Sequence, residues 1–146
     1  MKELGIKKND MVCVCSGNHL NSTVPYVAAQ FLGAISSSLD PTLSVDDAQY
    51  LLNIIKPKIL FISSDAVKLV QKCETQSIIV VFGPTHEHVP FVQFLSPKEE
   101  ENEFLPVKID NIHDTAIVSF SSGTSGLAKG ICISHYVLLS QWDGFT

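Results

Sequence analysis

Apolar residues fall in short continuous runs separated by polar joints. Three such runs, Met11–Cys15, Ile59–Ile62 and Ser77–Phe82, together with the serine-interrupted Ala34–Leu39, are bounded by Gly, Pro, Asp or Ser and read as strands. Helical spacing fills the gaps. Tyr26, Val27, Ala29, Gln30 and Phe31 carry one helix to Leu32, with Asn21 or Ser22 as cap, Pro25 in the first turn and Gly33 as the stop. Ser44-Val45-Asp46-Asp47 resembles a capping box and opens a second helix, whose stripe is Leu51, Leu52, Ile54 and Ile55 and which Lys56-Pro57-Lys58 ends. Ser63-Ser64-Asp65 is expected to cap a third, reaching about Cys73. The order is β-α-β-α-β-α-β. Strands that are apolar throughout point to a mostly parallel sheet with helices on both faces, the α/β class, with right-handed crossovers.

Residues 85–111 break this rhythm. They hold His86, His88, three prolines and the acid run Glu99-Glu100-Glu101, with one helical turn expected at Phe91–Leu95. From 112 onward the pattern is strand, polar loop, strand and a helix from His135 to Gln141. The domain reading is one partial domain over 1–146, made of an α/β part (1–84), a variable loop region (85–111) and a loop-bearing segment (112–146).

The size and charge narrow the classes. The chain has 146 residues, 45% of them hydrophobic, with a net charge of −5. That suffices for one core. Ten Lys and Arg against fifteen Asp and Glu form no basic stripe, so nucleic acid is not an expected partner. No apolar run approaches the roughly 20 residues that span a bilayer, and Met1-Lys2-Glu3-Leu4-Gly5 lacks an apolar signal core. An intracellular setting is expected. None of the four cysteines forms a C-x-x-C pair. Cys13 and Cys15 are read as facing opposite sides of their strand, so that they share no metal, and all four as reduced, apolar side chains. His86-x-His88 lacks a third ligand nearby, His19 reads as a solvated loop residue, and the acid run reads as a wet surface loop.

Candidate chemistry concentrates in Ser119–Ser134, SFSSGTSGLAKGICIS. Ser121, Ser122, Gly123, Thr124, Ser125 and Gly126 are followed by Lys129 and Gly130, between two β-branched-rich runs. Glycines let amide N–H groups converge on one point. Hydroxyls add donors, and a lysine adds a full charge on a flexible stem. Such a loop suits a polyanion, above all a nucleotide triphosphate. It is not a Walker loop. Lysine precedes the glycine, Ile131 stands where a Ser or Thr would hold magnesium, and a strand rather than a helix follows.

The same stretch resembles the phosphate-loop signature of adenylate-forming enzymes, YSSGTTGLPKGV followed by T-H, in the group of acyl-CoA synthetases, coumarate-CoA ligases and luciferases. Ser121, Ser122, Gly123, Thr124, Gly126, Leu127, Lys129, Gly130 and His135 match; Phe120, Ser125, Ala128 and Ser134 depart. Asp40-Pro41-Thr42 resembles that family's Asn-Pro-Thr turn, and the resemblance runs along nearly the whole chain, most weakly over 85–111. It implies an enzyme that condenses a fatty or aromatic carboxylic acid with ATP, magnesium travelling with the nucleotide, and then transfers the acyl group to coenzyme A. Residues Ser121, Ser122, Gly123, Thr124, Ser125, Gly126 and Lys129 would bind the phosphates, with Lys129 neutralising departing pyrophosphate and no metal held by the chain itself. The resemblance allows a peroxisomal setting, and otherwise a cytoplasmic one. Motifs that family members carry further along are missing. The chain is therefore expected to be a fragment, a truncated isoform or a degenerate copy. A catalytically inactive protein that at most binds a nucleotide or a partner is the alternative.

Overall fold

The computed structural model describes residues 1–121 and 128–143. Among these, seven strands form one sheet: β1 (Met11–Cys15), β2 (Ile35–Leu39), β3 (Ile59–Ile62), β4 (Ile78–Val81), β5 (Val89–Pro90), β6 (Thr115–Ser121) and β7 (Lys129–Ser134). Their order across the sheet is β5-β4-β3-β1-β2-β6-β7. Every neighbouring pair is parallel except β6–β7, which is antiparallel. The expected α/β architecture is present, with α1 (Thr23–Phe31), α2 (Val45–Ile55), α3 (Val67–Val70) and α4 (His135–Asp143).

The period of two along each strand sorts the core onto two faces. Val12, Val14, Ile59, Phe61, Val80 and Phe82 meet Ala29 of α1, Leu32 just after it and the ring of Phe91. Cys13, Cys15, Leu39, Leu60, Ile62 and Val81 meet Leu51, Leu52 and Ile55 of α2 and Val70 of α3. Helices thus cover both faces. Phe61 centres the first layer: its ring lies 5.5 Å from Phe94 and 6.1 Å from both Phe82 and Phe91.

Several sequence expectations need correction. Cys13 and Cys15 share a face, because residues two apart in a strand return to the same side. The third helix is one short turn, Val67–Val70, without a side-chain cap. Residues 63–66 instead form a turn closed by the Ala66 N–H on the Ser63 carbonyl at 3.0 Å. Ser22 precedes α1, but its hydroxyl donates to the His19 carbonyl at 2.8 Å and caps nothing. At α2 the expected cap forms: the Asp47 N–H donates to Ser44 Oγ at 3.1 Å, and that hydroxyl donates to the Asp47 carboxylate at 2.6 Å. Gly33, at φ 64, ends α1 in the left-handed region that glycine enters without strain. The variable region contributes one unforeseen strand, β5. Its Pro90 suits an edge position, where one N–H can be spared.

Candidate functional site

The loop-bearing strand β6 joins the parallel sheet at β2, where Ser36 pairs with Ile117 and Ser37 with Val118. It runs three residues further, to Ser121, and so ends just past the carboxyl end of β2 at Leu39. The return strand begins at Lys129, directly opposite Ser121 in the antiparallel register. Opposed residues in such a ladder stand about 4.5–5.5 Å apart at Cα. The half-buried Ser121 and the exposed Lys129 therefore face each other where the hairpin opens. The other predicted phosphate-binding residues, Ser122, Gly123, Thr124, Ser125 and Gly126, lie outside the described residues.

The stems of this hairpin are seated by packing. Phe120 before the loop and Ala128 after it rest against the core on the α2 face. Ala128 stands where the resembling signature has proline, so contact with the core takes over from a fixed φ. Gly130 does not owe its place to crowding. A Cβ there would lie 3.5 Å from Val118 Cγ1 and 3.7 Å from Phe120 Cε1, ordinary contact distances. Beyond β7, the Ser134 hydroxyl accepts the Val137 N–H at 3.3 Å and caps α4. The Asp114 and Ile112 carbonyls accept the N–H groups of His135 (3.2 Å) and Tyr136 (2.7 Å).

This hairpin opens at the carboxyl ends of the parallel strands, where ligands collect in open α/β sheets. The chain passes from β1 to β2 on one side and to β3 on the other, so the switch of direction lies between β1 and β3. Around that edge the chemistry is polar over an apolar floor. Burial pushes the Cys15 thiol up to about 12, with Asp40 and Asp65 adding to the effect. The Thr42 hydroxyl and N–H, bonded to Asp40 at 2.6 and 2.8 Å, hold that carboxyl below its usual range. Ser63 Oγ is buried and has no hydrogen-bond partner among the described residues.

Among the described residues no group of three His, Cys, Asp or Glu side chains is placed to hold a metal. His86 and His88 line a cavity of about 410 Å³ with Ser64, Lys68 and Thr85, and the His88 N–H donates to Thr85 Oγ1 at 3.2 Å. His19 is not a free solvated residue. Its Nδ1 accepts the Asn21 N–H at 3.1 Å and its ring stacks on Phe82 at 4.9 Å. The acid run lies in an exposed 3-10 segment, Glu99–Glu103, where Glu101 accepts the Lys98 N–H at 2.9 Å. No helix among the described residues is long and apolar enough to cross a membrane. The sequence reading missed Ser36 and Ser37, which are fully buried and reach β6 with their hydroxyls. Three serines in a row within a strand otherwise flanked by apolar residues were the available signal.

Comparison with known proteins follows the same line. The sequence profile of the family described as AMP-binding enzyme matches residues 1–145. A luciferin 4-monooxygenase of Photuris pensylvanica is 28% identical over 97% of this chain and 28% of its own length. A probable 4-coumarate–CoA ligase of Dictyostelium discoideum is also 28% identical, over 97% of this chain and 29% of its own. Among solved structures, a luciferase-like enzyme from the nonluminescent Zophobas morio mealworm aligns with a TM-score of 0.86 and 41% identity. That alignment covers 92% of this chain and 32% of the mealworm chain. The chain thus spans less than a third of the length of these relatives.

Proposed function

The chain belongs to the AMP-binding enzyme family, and we propose from that premise that it supplies the triphosphate-binding part of an acid–CoA ligase. In the reaction proposed for the whole enzyme, a carboxylate oxygen attacks the α-phosphorus of ATP and expels pyrophosphate. The acyl-adenylate then loses AMP to the thiol of coenzyme A. Magnesium enters with the nucleotide. This chain's share is electrostatic. Hydroxyls and amides of Ser121–Gly126 would hold the β- and γ-phosphates, and the Lys129 ammonium would balance charge as pyrophosphate departs. One well-placed donor of this kind is worth about 3–4 kcal/mol in the transition state.

The observation that carries the reading is the opposition of Ser121 and Lys129 across a hairpin mouth at the carboxyl edge of a parallel sheet. A strand behind the lysine, in place of a helix N-terminus, speaks against a Walker-type site. As substrate we favour an aromatic or fatty carboxylic acid, since coumarate and long-chain fatty acids appear in the names of relatives. The likeness to a luciferase-like enzyme of a nonluminescent mealworm supports acyl-CoA chemistry ahead of light emission. The setting in this reading is the cytoplasm or the peroxisome.

Calorimetric titration with MgATP tests the lysine's role. Lys129→Ala is expected to bind about tenfold more weakly, the factor set by losing about 1.5 kcal/mol of charge-assisted hydrogen bonding. Equal affinity in the two proteins refutes it. In a complete enzyme carrying this segment, the same substitution should slow ATP–pyrophosphate exchange, assayed with a panel of aromatic and fatty acids.

A further inference from the structure

The β6–β7 hairpin joins the rest of the sheet at β2 through a short backbone ladder. Six residue pairs join β6 to β7 and five join β1 to β2, but only Ser36–Ile117 and Ser37–Val118 join β2 to β6. A strand covered on both faces is ordinarily filled with Val, Ile or Leu. At this seam β2 carries serines instead, and Ser36 and Ser37 are both 0% exposed.

Each hydroxyl has a specific target on β6. Ser37 Oγ donates to the Val118 carbonyl at 2.8 Å. Ser36 Oγ donates to the Ala116 carbonyl at 3.5 Å. Gln30 of α1 donates its amide to the same Ala116 carbonyl at 3.1 Å and to Ser36 Oγ at 3.3 Å. Successive residues of a strand face opposite sides, so one hydroxyl reaches β6 from each face of the sheet. The Ala116 and Val118 carbonyls lie two residues apart and both turn toward β2. Side chains thus reinforce a backbone ladder of only two pairs. The strand's free run to Ser121 starts at Val118, and the register with β7 carries that position across to Lys129.

We propose that Ser37, together with Ser36 and Gln30, is a positioning residue for the mouth of the β6–β7 hairpin, setting the height at which Ser121 and Lys129 meet the phosphates. This rests on the nucleotide-binding reading above. Its physical basis is that a displacement of about 1 Å is enough to spoil binding geometry. An apolar residue at position 37 would fill the same layer of the core without fixing the register of β6.

The test pairs amide hydrogen exchange with MgATP titration on wild type, Ser37→Ala, Ser37→Thr and Gln30→Ala. In Ser37→Ala, exchange at residues 117–121 and 129–133 should rise about fivefold, the equilibrium factor of one ordinary hydrogen bond. Exchange in β1 and β3 should stay unchanged, and MgATP affinity should fall by a similar factor. Ser37→Thr, which keeps the hydroxyl, should restore both, and Gln30→Ala should reproduce the local change more weakly. Uniformly faster exchange in every strand would overturn the proposal, because the hydroxyl would then serve stability alone. Unchanged exchange in β6, or faster exchange in β6 with wild-type affinity, would overturn it too. A wild-type chain that binds no MgATP would refute the nucleotide reading itself, and the exchange pattern would then decide the anchoring of β6 by itself.

Discussion

Replacing Phe61 by alanine is the sharpest probe of how the sheet is held. The residue is 1% exposed, in the middle of β3. Its ring touches those of Phe82, Phe91 and Phe94 at centroid distances of 5.5–6.1 Å, two of them edge-on. Truncating a buried phenylalanine to alanine costs about 3–5 kcal/mol. Three aromatic contacts, each worth about 0.5–1.5 kcal/mol beyond area, put this site in the upper half of that range. The ring also walls a cavity of about 270 Å³, so truncation enlarges an existing space and leaves the neighbours little to close onto. We expect a loss of about 4 kcal/mol. With a urea slope of about 2 kcal/mol/M for a domain this size, the unfolding midpoint should drop by about 2 M, read by far-ultraviolet circular dichroism. Val92→Ala, at a residue 66% exposed, is the control and should change stability by less than about 0.5 kcal/mol. A Phe61→Ala loss below about 1.5 kcal/mol would refute the view that this cluster organises the α1 face. MgATP affinity of the folded variant should match wild type, because β1 and β2 separate β3 from β6.

Two further outcomes follow from the titrating groups. Burial lifts the Cys13 thiol well above its ordinary value and Cys15 to about 12, whereas Cys132 is exposed. Iodoacetamide at pH 8 should therefore mark Cys132 first and reach Cys13 and Cys15 only after unfolding, as mass spectrometry of the peptides would show; early labelling of Cys15 contradicts its burial. For Asp10, burial pushes the carboxyl up, but bonds from the Lys58 ammonium and the Lys7 N–H outweigh it and the net shift is downward. A folded-state value below the unfolded one, about 3.9, stabilises the protein above that pH, and the contribution fades as pH falls through the lowered value. Lys58→Met should thus lose less stability than wild type between pH 7 and pH 3 in urea titrations. Equal losses would remove Asp10 from the acid response.

Most of the fold was legible because its strands are short apolar runs closed by strong punctuation. Met11–Cys15 and Ile59–Ile62 stand in the structure with the limits read from the sequence. Gly33, Ser44 and Pro57 mark helix ends by backbone chemistry that needs no tertiary context. What escaped depends on neighbours. Val89–Pro90 becomes a strand only because β4 offers it an edge. The third helix, expected to be capped by Ser63-Ser64-Asp65 and to reach about Cys73, shrank to Val67–Val70 because residues 63–66 close into a turn after β3 and residues 71–73 turn away again. Of the site, the strand–loop–strand frame followed from residue order, whereas the pairing of Ser121 with Lys129 needed the register of the ladder. The serine seam did not, because its partners lie 80 and 81 residues away in the chain.

That seam also bears on how the protein reaches its native state. Strands β1 to β4 are joined by short local connections, and the β6–β7 hairpin closes on itself through residues 115–134. Docking the hairpin onto β2 joins groups 80 and 81 residues apart in the chain, and contacts of such separation are the slowest kind to form. During synthesis the N-terminal strands emerge first, and β2 waits as an open edge of the nascent sheet. An open edge of valines would invite any passing strand. We expect the hydroxyls of Ser36 and Ser37 to bond water until the Ala116 and Val118 carbonyls arrive, so that a polar edge disfavours mispairing before it becomes a buried joint.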